Sequence, residues 1–173
     1  KEIEMLEFNK KDYLKKDSLY LSPILRLKEY VNKHLKEYLI DFIIHGSMST
    51  LDYSIGWSDL DTLVIIKKEI LRDPKKLINL RKHILNIMPE IYAIDPLQHH
   101  QFIITTEKAM LHSYYSILPS ETLKYSKSLL DKKTIKISNY RNNKSGIKNL
   151  LSVNNLFKKS SEIGFMDHHK KHD

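Results

Sequence analysis

Cysteine is absent from the 173 residues of this chain. That excludes disulfides, a thiolate nucleophile and a Cys-ligated zinc site. It also fits a reducing compartment, so a cytoplasmic location is expected. Glycine is scarce at four residues and proline hardly commoner at five, so long flexible linkers are not expected. No apolar run approaches the roughly 20 residues that span a bilayer. The opening "KEIEMLEFNKKDYLKK" lacks the apolar centre of a signal peptide, and no membrane association is expected. Lys1 rather than Met stands first, which fits a processed or trimmed piece of a longer protein. Neither the Walker nor the Rossmann glycine pattern occurs.

The residues that are present describe a globular chain. About 41% are apolar and 29% charged, and the length suits one domain with its own core. The formal charge is +8, and lysines come in pairs, as at Lys10-Lys11, Lys67-Lys68, Lys75-Lys76 and Lys132-Lys133. Such a surface favours polyanions. Paired lysines are more commonly solvated helix faces, however, and aromatics do not interleave with them here. Charge alone therefore does not assign a nucleic-acid partner.

Hydrophobic spacing gives an order of elements. Ser22-Pro23 reads as a helix start, followed by Ile24, Leu27, Val31, Leu35 and Tyr38 at helical intervals. "LIDFIIHGS" reads as a buried strand ending in a turn, and "DLDTLVII" as a second strand. Asp73-Pro74 opens another helix, with Leu77, Leu80, Ile84 and Met88 inward and Pro89 as its end. "IYAID" reads as a third strand, and "QHHQFIITT" as its continuation or a fourth. Helices are expected from Glu107 to Leu118, from Ser120 to Leu130, and in "KSGIKNLLSVNNLFKKS". The expected fold class is α/β in the α+β sense, a small mixed sheet flanked by helices with a helical C-terminal part. A single domain over 1–173 is expected, with a core at about 22–106, a helical part at 107–160 and a basic, His-rich tail at 161–173.

One stretch carries chemistry: "HGSMSTLDYSIGWSDLDTLVII", from His45 to Ile66. In an extended strand Asp59 and Asp61 face the same way, with Cα atoms about 6–7 Å apart. Two carboxylates at that spacing repel unless a cation or a basic group sits between them. Mg²⁺ is commonly held by one or two carboxylates plus substrate phosphates. Gly46-Ser47 supplies a turn where backbone can approach a phosphate closely. Neither half is specific by itself. Glu2-Ile3-Glu4 is another acid-x-acid triplet and receives no role, and Asp59/Asp61 alone would read as a strand entry.

The joint pattern is more specific. An apolar strand, His-Gly-Ser, eleven residues and then Asp-Leu-Asp-Thr resembles the signature of the nucleotidyltransferase superfamily with the DNA polymerase beta type of fold. The resemblance is close over about 41–66 and looser to about 106; Thr62 stands where an apolar residue is usual. It implies that Gly46 and Ser47 hold a triphosphate, and that Asp59 and Asp61 hold one or two Mg²⁺ (or Mn²⁺). It implies a nucleotidyl group moving from an NTP, ATP foremost, to a hydroxyl on a small molecule, a protein or an RNA end. Minimal domains of this type also resemble antitoxin partners of helical HEPN-type ribonucleases, so a protein partner, with or without catalysis, is the alternative expectation.

A third acid is usual in this superfamily, and here three possibilities stand. Asp95 closes "IYAID"; His100 or His99 replaces the acid as base or metal ligand; or the third function is absent. Trp57 either stacks on a base or packs its loop against the core. Tyr114-Tyr115 reads as helix core, and "DHHKKHD" as a solvated tail with metal-ligand residue types.

Overall fold

A computed structural model of the chain describes residues 1–15, 17–96, 102–113 and 118–138. The chain divides into two units, Lys1–Ser138 and Asn139–Asp173, and every described residue lies in the first. The last expected helix and the His-rich tail fall outside the described residues, as do Tyr114-Tyr115, His99 and His100.

The elements are β1 (Glu2–Glu4), α1 (Asp12–Lys15), α2 (Ser18–Tyr30), β2 (Leu39–Ile44), α3 (Gly46–Thr50), β3 (Thr62–Ile66), α4 (Pro74–Ile94), β4 (Ile103–Thr106), α5 (Glu107–Ser113), α6 (Ser120–Lys124), β5 (Lys127–Ser128) and β6 (Thr134–Lys136). A four-stranded sheet runs in the order β4-β3-β2-β5. β2 is antiparallel to β3 and to β5, whereas β3 and β4 are parallel. A separate antiparallel pair joins β1 to β6. The fold class is therefore α+β, with a mixed sheet and helices, as expected. Among the described residues no helix is long and apolar enough to cross a membrane.

β3 has strands on both sides, and all five of its residues are buried. This explains a continuous apolar run where a half-exposed strand would alternate. Val64 and Ile66 join one core with Phe42, Ile44, α2 and α4 residues; Leu63 and Ile65 join a second with Ile43, Ile3, Met110, Leu123 and Ile135. The sheet is thus covered on both faces. Phe42 is fully buried and meets Phe102 edge-on, with ring centroids 5.9 Å apart. Burying such a side chain contributes roughly 1.5–3 kcal/mol.

Several sequence expectations are corrected. α2 starts at Ser18, not at Ser22-Pro23, so Pro23 lies inside the helix. Its missing N–H would have bonded the Leu19 carbonyl; the Ser22 hydroxyl donates to that carbonyl instead, at 2.9 Å. Past Tyr30 the helix widens into a π-type turn at Val31–Leu35, keeping Val31 and Leu35 buried. α4 begins as expected, with the Asp73 carboxylate accepting from the Lys75 and Lys76 amides at 3.0 and 3.2 Å. It does not stop at Pro89. It runs to Ile94, so "IYAID" is helix end rather than strand. Leu80, Ile87, Ile91 and Ile94 give this last part a continuous buried stripe, while Leu85 and Pro89 share the exposed side. A carbonyl freed by proline on that side faces water, which makes the proline tolerable.

"QHHQFIITT" supplies the parallel strand β4 in its Ile103–Thr106 part. α6 is short, ending at Lys124 rather than Leu130, because Lys127 and Ser128 pair with β2 as an edge strand. Pro119, not Ser120, holds its N-cap position. β1 was not expected; Ile3 is buried opposite Ile135, while Glu2 and Glu4 remain exposed.

Candidate active site

β2 ends at Ile44 and α3 begins at Gly46. Gly46 has φ +65°, the left-handed region in which a Cβ is strained. A Cβ there would also collide with the Asp61 carboxylate, whose Cγ would lie 3.3 Å away. The glycine thus lets the turn and Asp61 come into contact. α3 is tied down by its own polar groups. The Ser49 hydroxyl lies within hydrogen-bond reach of the Gly46 and Tyr125 carbonyls, and the Asp52 amide donates to the Ser47 carbonyl at 3.0 Å.

Asp59 and Asp61 sit just before β3, which starts at Thr62 rather than at Asp59. The segment still alternates as an extended chain does: Leu60 is buried in the core, and both aspartates are half-exposed. The β2–β3 ladder reaches one step beyond the strands, since the His45 amide donates to the Asp61 carbonyl at 3.1 Å. Thr62, the departure from the superfamily pattern, is buried opposite Ile44. Its small branched side chain fills a strand position as an apolar residue would.

His45 was quoted in the motif but given no role, and the structure places it at the centre. It is 6% exposed, and its Nδ1 stands 4.0 Å from Asp61 Oδ2. Burial pushes the imidazole below its ordinary pKa, against the upward pull of Asp61 and then Asp59. Burial thus favours the neutral ring, and at 4.0 Å its contact with Asp61 is a near approach. Adjacency to Gly46 was the sequence signal for it. Tyr20 had no such signal. Its hydroxyl donates to the Ser58 carbonyl at 3.2 Å and so ties α2 to the segment leading to Asp59. Burial first, then Asp95 and Asp59, raise its phenol pKa, whereas a hydrogen bond with the Gly56 backbone lowers it.

That shared influence bears on the third acid. Asp95 lies at the C-terminal end of α4, 5% exposed, with its amide donating to the Ile91 carbonyl at 2.9 Å. It is not on a strand, yet it and Asp59 both act on the Tyr20 phenol. His45, Gly46 and Ser47 follow β2 and Asp59 and Asp61 precede β3, so these five lie at one end of that strand pair, while Asp95 closes α4. His99 and His100, the competing third residues, lie outside the described residues. Trp57 does not pack its loop against the core; it is 81% exposed on a turn closed by the Ser58 amide and the Ser54 carbonyl at 2.9 Å.

No protein-family model, curated protein or solved structure matches this chain. The site must be judged on its own donors. Among the described residues no group of three or more His, Cys, Asp or Glu could enclose a metal ion. Two half-exposed carboxylates fit a different arrangement, a hard cation that completes its shell with water and phosphate oxygens.

Proposed function

We propose that this chain is a nucleotidyltransferase with the DNA polymerase beta type of fold, dependent on Mg²⁺ or Mn²⁺. It would move a nucleotidyl group from an NTP, ATP foremost, to a hydroxyl acceptor with release of pyrophosphate. The observation that carries this reading is the apposition of Gly46 and Asp61. A glycine turn with positive φ abuts one of two neighbouring carboxylates, at the end of an antiparallel strand pair.

In this reading the Gly46-Ser47 turn receives the triphosphate and sets its direction. Asp59 and Asp61 would hold the divalent ion, which would supply positive charge against the phosphate oxygens. Leu60, buried between them, fixes both carboxylates to the core. His45 acts as a positioning residue, since its bulk limits where the Asp61 carboxylate can lie. Asp95 accepts the proton of the acceptor hydroxyl as its oxygen attacks the α-phosphorus and the bond to the β-phosphate breaks. The gain comes from orientation and preorganised charge, with no covalent enzyme intermediate.

Calorimetric titration tests this. ATP should bind only with Mg²⁺ or Mn²⁺ present, and a chain with Asp59→Ala and Asp61→Ala together should lose that binding. If the double variant binds NTP as the parent does, the site is wrong. Labelled NTPs with candidate hydroxyl acceptors then identify transfer.

An antitoxin-type partner module is favoured by one separate observation. Leu19 and Trp57, which neighbour the Tyr20–Ser58 hydrogen bond, are 90% and 81% exposed. Large apolar side chains so exposed beside the site suit a protein contact. Co-expression with a helical HEPN-type ribonuclease separates the readings. Neutralisation lost in Leu19→Ala with Trp57→Ala, but kept in the Asp59/Asp61 double variant, favours the partner module.

A further inference from the structure

α4 carries two apolar stripes, and one of them meets the core. Leu80, Ile87, Ile91 and Ile94 form the buried stripe. Ile78, Leu85 and Tyr92 form the other, and they are 56%, 59% and 49% exposed. These three stand seven residues apart, so each is turned only about 20° from the one before. They therefore line one side of the helix, opposite Leu80 and Ile87. Pro89, also exposed, falls between Leu85 and Tyr92 on that side. At a rise of about 1.5 Å per residue the stripe is about 21 Å long, which matches about four turns of a second helix. A surface helix is ordinarily polar on its outer side, and a helix apolar on both sides is ordinarily covered on both.

The charges beside this stripe have one sign. Lys75, Arg81 and Lys82 are exposed and flank it, each within about 60° of Ile78 around the helix axis. Glu90 is the one acid within α4. It lies about 120° from Ile78 around the axis, and its carboxylate accepts from Arg26 Nε at 2.9 Å. A narrow apolar seam with charges along its rim is the arrangement by which paired helices choose each other, and a basic rim selects an acidic partner. A second copy of this chain fits poorly, since it brings the same basic rim and the same +8. A bilayer surface fits poorly too, because a helix lying in that interface needs a broad apolar face rather than a single seven-residue row.

We propose that the outer side of α4 docks an acidic amphipathic helix of a partner protein. The partner's apolar side chains sit between Ile78, Leu85 and Tyr92, and its carboxylates meet Lys75, Arg81 and Lys82. This surface includes neither the Gly46–Asp61 turn nor Leu19 and Trp57, and it does not depend on the nucleotide site.

The test titrates the whole chain with a synthetic peptide three heptads long, with Leu at the a and d positions and Glu at e and g, whose own repulsion keeps it from pairing with itself at neutral pH. It should bind saturably with one site. Two controls bind at least about tenfold more weakly: the same peptide with Lys for every Glu, and the same peptide with Ser for every Leu, which keeps the charge and loses the stripe. Leu85→Glu, on the solvent side, should leave thermal unfolding nearly unchanged and weaken the acidic peptide by about tenfold or more. Arg81→Glu with Lys82→Glu should reverse the preference toward the lysine peptide. Asp61→Asn should bind the acidic peptide as the parent does, so failure here is distinct from failure of the nucleotide site. The proposal is overturned if the acidic peptide does not saturate, if either control peptide matches it, or if folded Leu85→Glu binds like the parent. It is overturned equally if Leu85→Glu dissolves a dimer of the chain alone in sedimentation, or abolishes binding to vesicles of phosphatidylglycerol. The comparison of the three peptides uses the unaltered chain and stands even if a variant does not fold.

Discussion

Asp41 and Asp61 belong to one antiparallel strand pair and differ in almost everything that governs a carboxylate. Asp61 lies beyond the first residue of β3, its side chain 29% exposed, beside a second aspartate and a glycine turn. Asp41 lies within β2, 1% exposed and held on one oxygen by two donors. Burial pushes the Asp41 carboxyl up to about 6, while Ser128, the Phe42 amide, Lys132 and Lys28 pull it down. Position along a strand, not residue type, decides whether an aspartate is a part-solvated carboxylate or a buried one.

Four substitutions sharpen or break this contrast. The largest effect is expected for Asp61→Asn. NTP transfer should fall on the order of 10³-fold, as when a preorganised electrostatic partner is removed. Thermal unfolding should change little, because the group is part-solvated; a large drop in melting temperature with activity intact would reverse the assignment. Next comes Gly46→Ala. The methyl meets the Asp61 carboxylate and must adopt a left-handed backbone, costing about 1–2 kcal/mol. Displacing Asp61 should lower transfer on the order of 10²-fold, measured at saturating NTP. Unchanged activity would mean that the contact is incidental.

Asp41→Asn should act on stability and leave transfer unchanged. The folded state binds the Asp41 proton more tightly than the unfolded chain does, at about 6 against an ordinary 3.8. Stability therefore falls as pH rises between those values, and the full cost is present above about 6. The variant should remove that slope and gain on the order of 1–3 kcal/mol near neutral pH, read by urea unfolding across the window. A variant less stable than the parent at neutral pH would show that the charge is matched by something else. The smallest effect is expected for Tyr20→Phe. It removes the hydrogen bond to the Ser58 carbonyl, costing about 1 kcal/mol, and should change transfer by less than about tenfold. A loss as large as that of Asp61→Asn would place Tyr20 among the reacting groups.

Much of the local structure was legible in the sequence. β2, most of β3, the Asp73-Pro74 helix start and the inward face of α2 follow from apolar spacing and one cap, whereas of the face expected for α4 only Leu80 is fully buried, Leu77 and Ile84 pack partly, Met88 joins neither core, and Ile87, Ile91 and Ile94 carry the rest. The misjudged boundaries share a cause. Pro23 and Pro89 look like helix limits, but Ser22 bonds one freed carbonyl and the other faces outward, while buried stripes continue past both. Lys127 and Ser128 look like helix tail, yet the open edge of β2 takes them as a strand.

The candidate site divides the same way. Gly46, Ser47, Asp59 and Asp61 could be chosen as candidates from residue types and spacing, because all four lie within one short loop between two strands. Asp95 could be chosen too, but on the mistaken ground that it closed a strand. His45, Tyr20 and Asp41 could not be assigned, since their roles depend on burial and on partners far along the chain. By itself the sequence determined the α+β class, the strand pair and the placing of Gly46-Ser47 and Asp59-Leu60-Asp61 at its end. Only the tertiary structure decided that Gly46 touches Asp61, that Tyr20 ties α2 to the segment before Asp59, and that Asp41 is sealed inside. The physical reason is that spacing encodes which face a side chain takes, whereas desolvation and contact depend on what folds over that face.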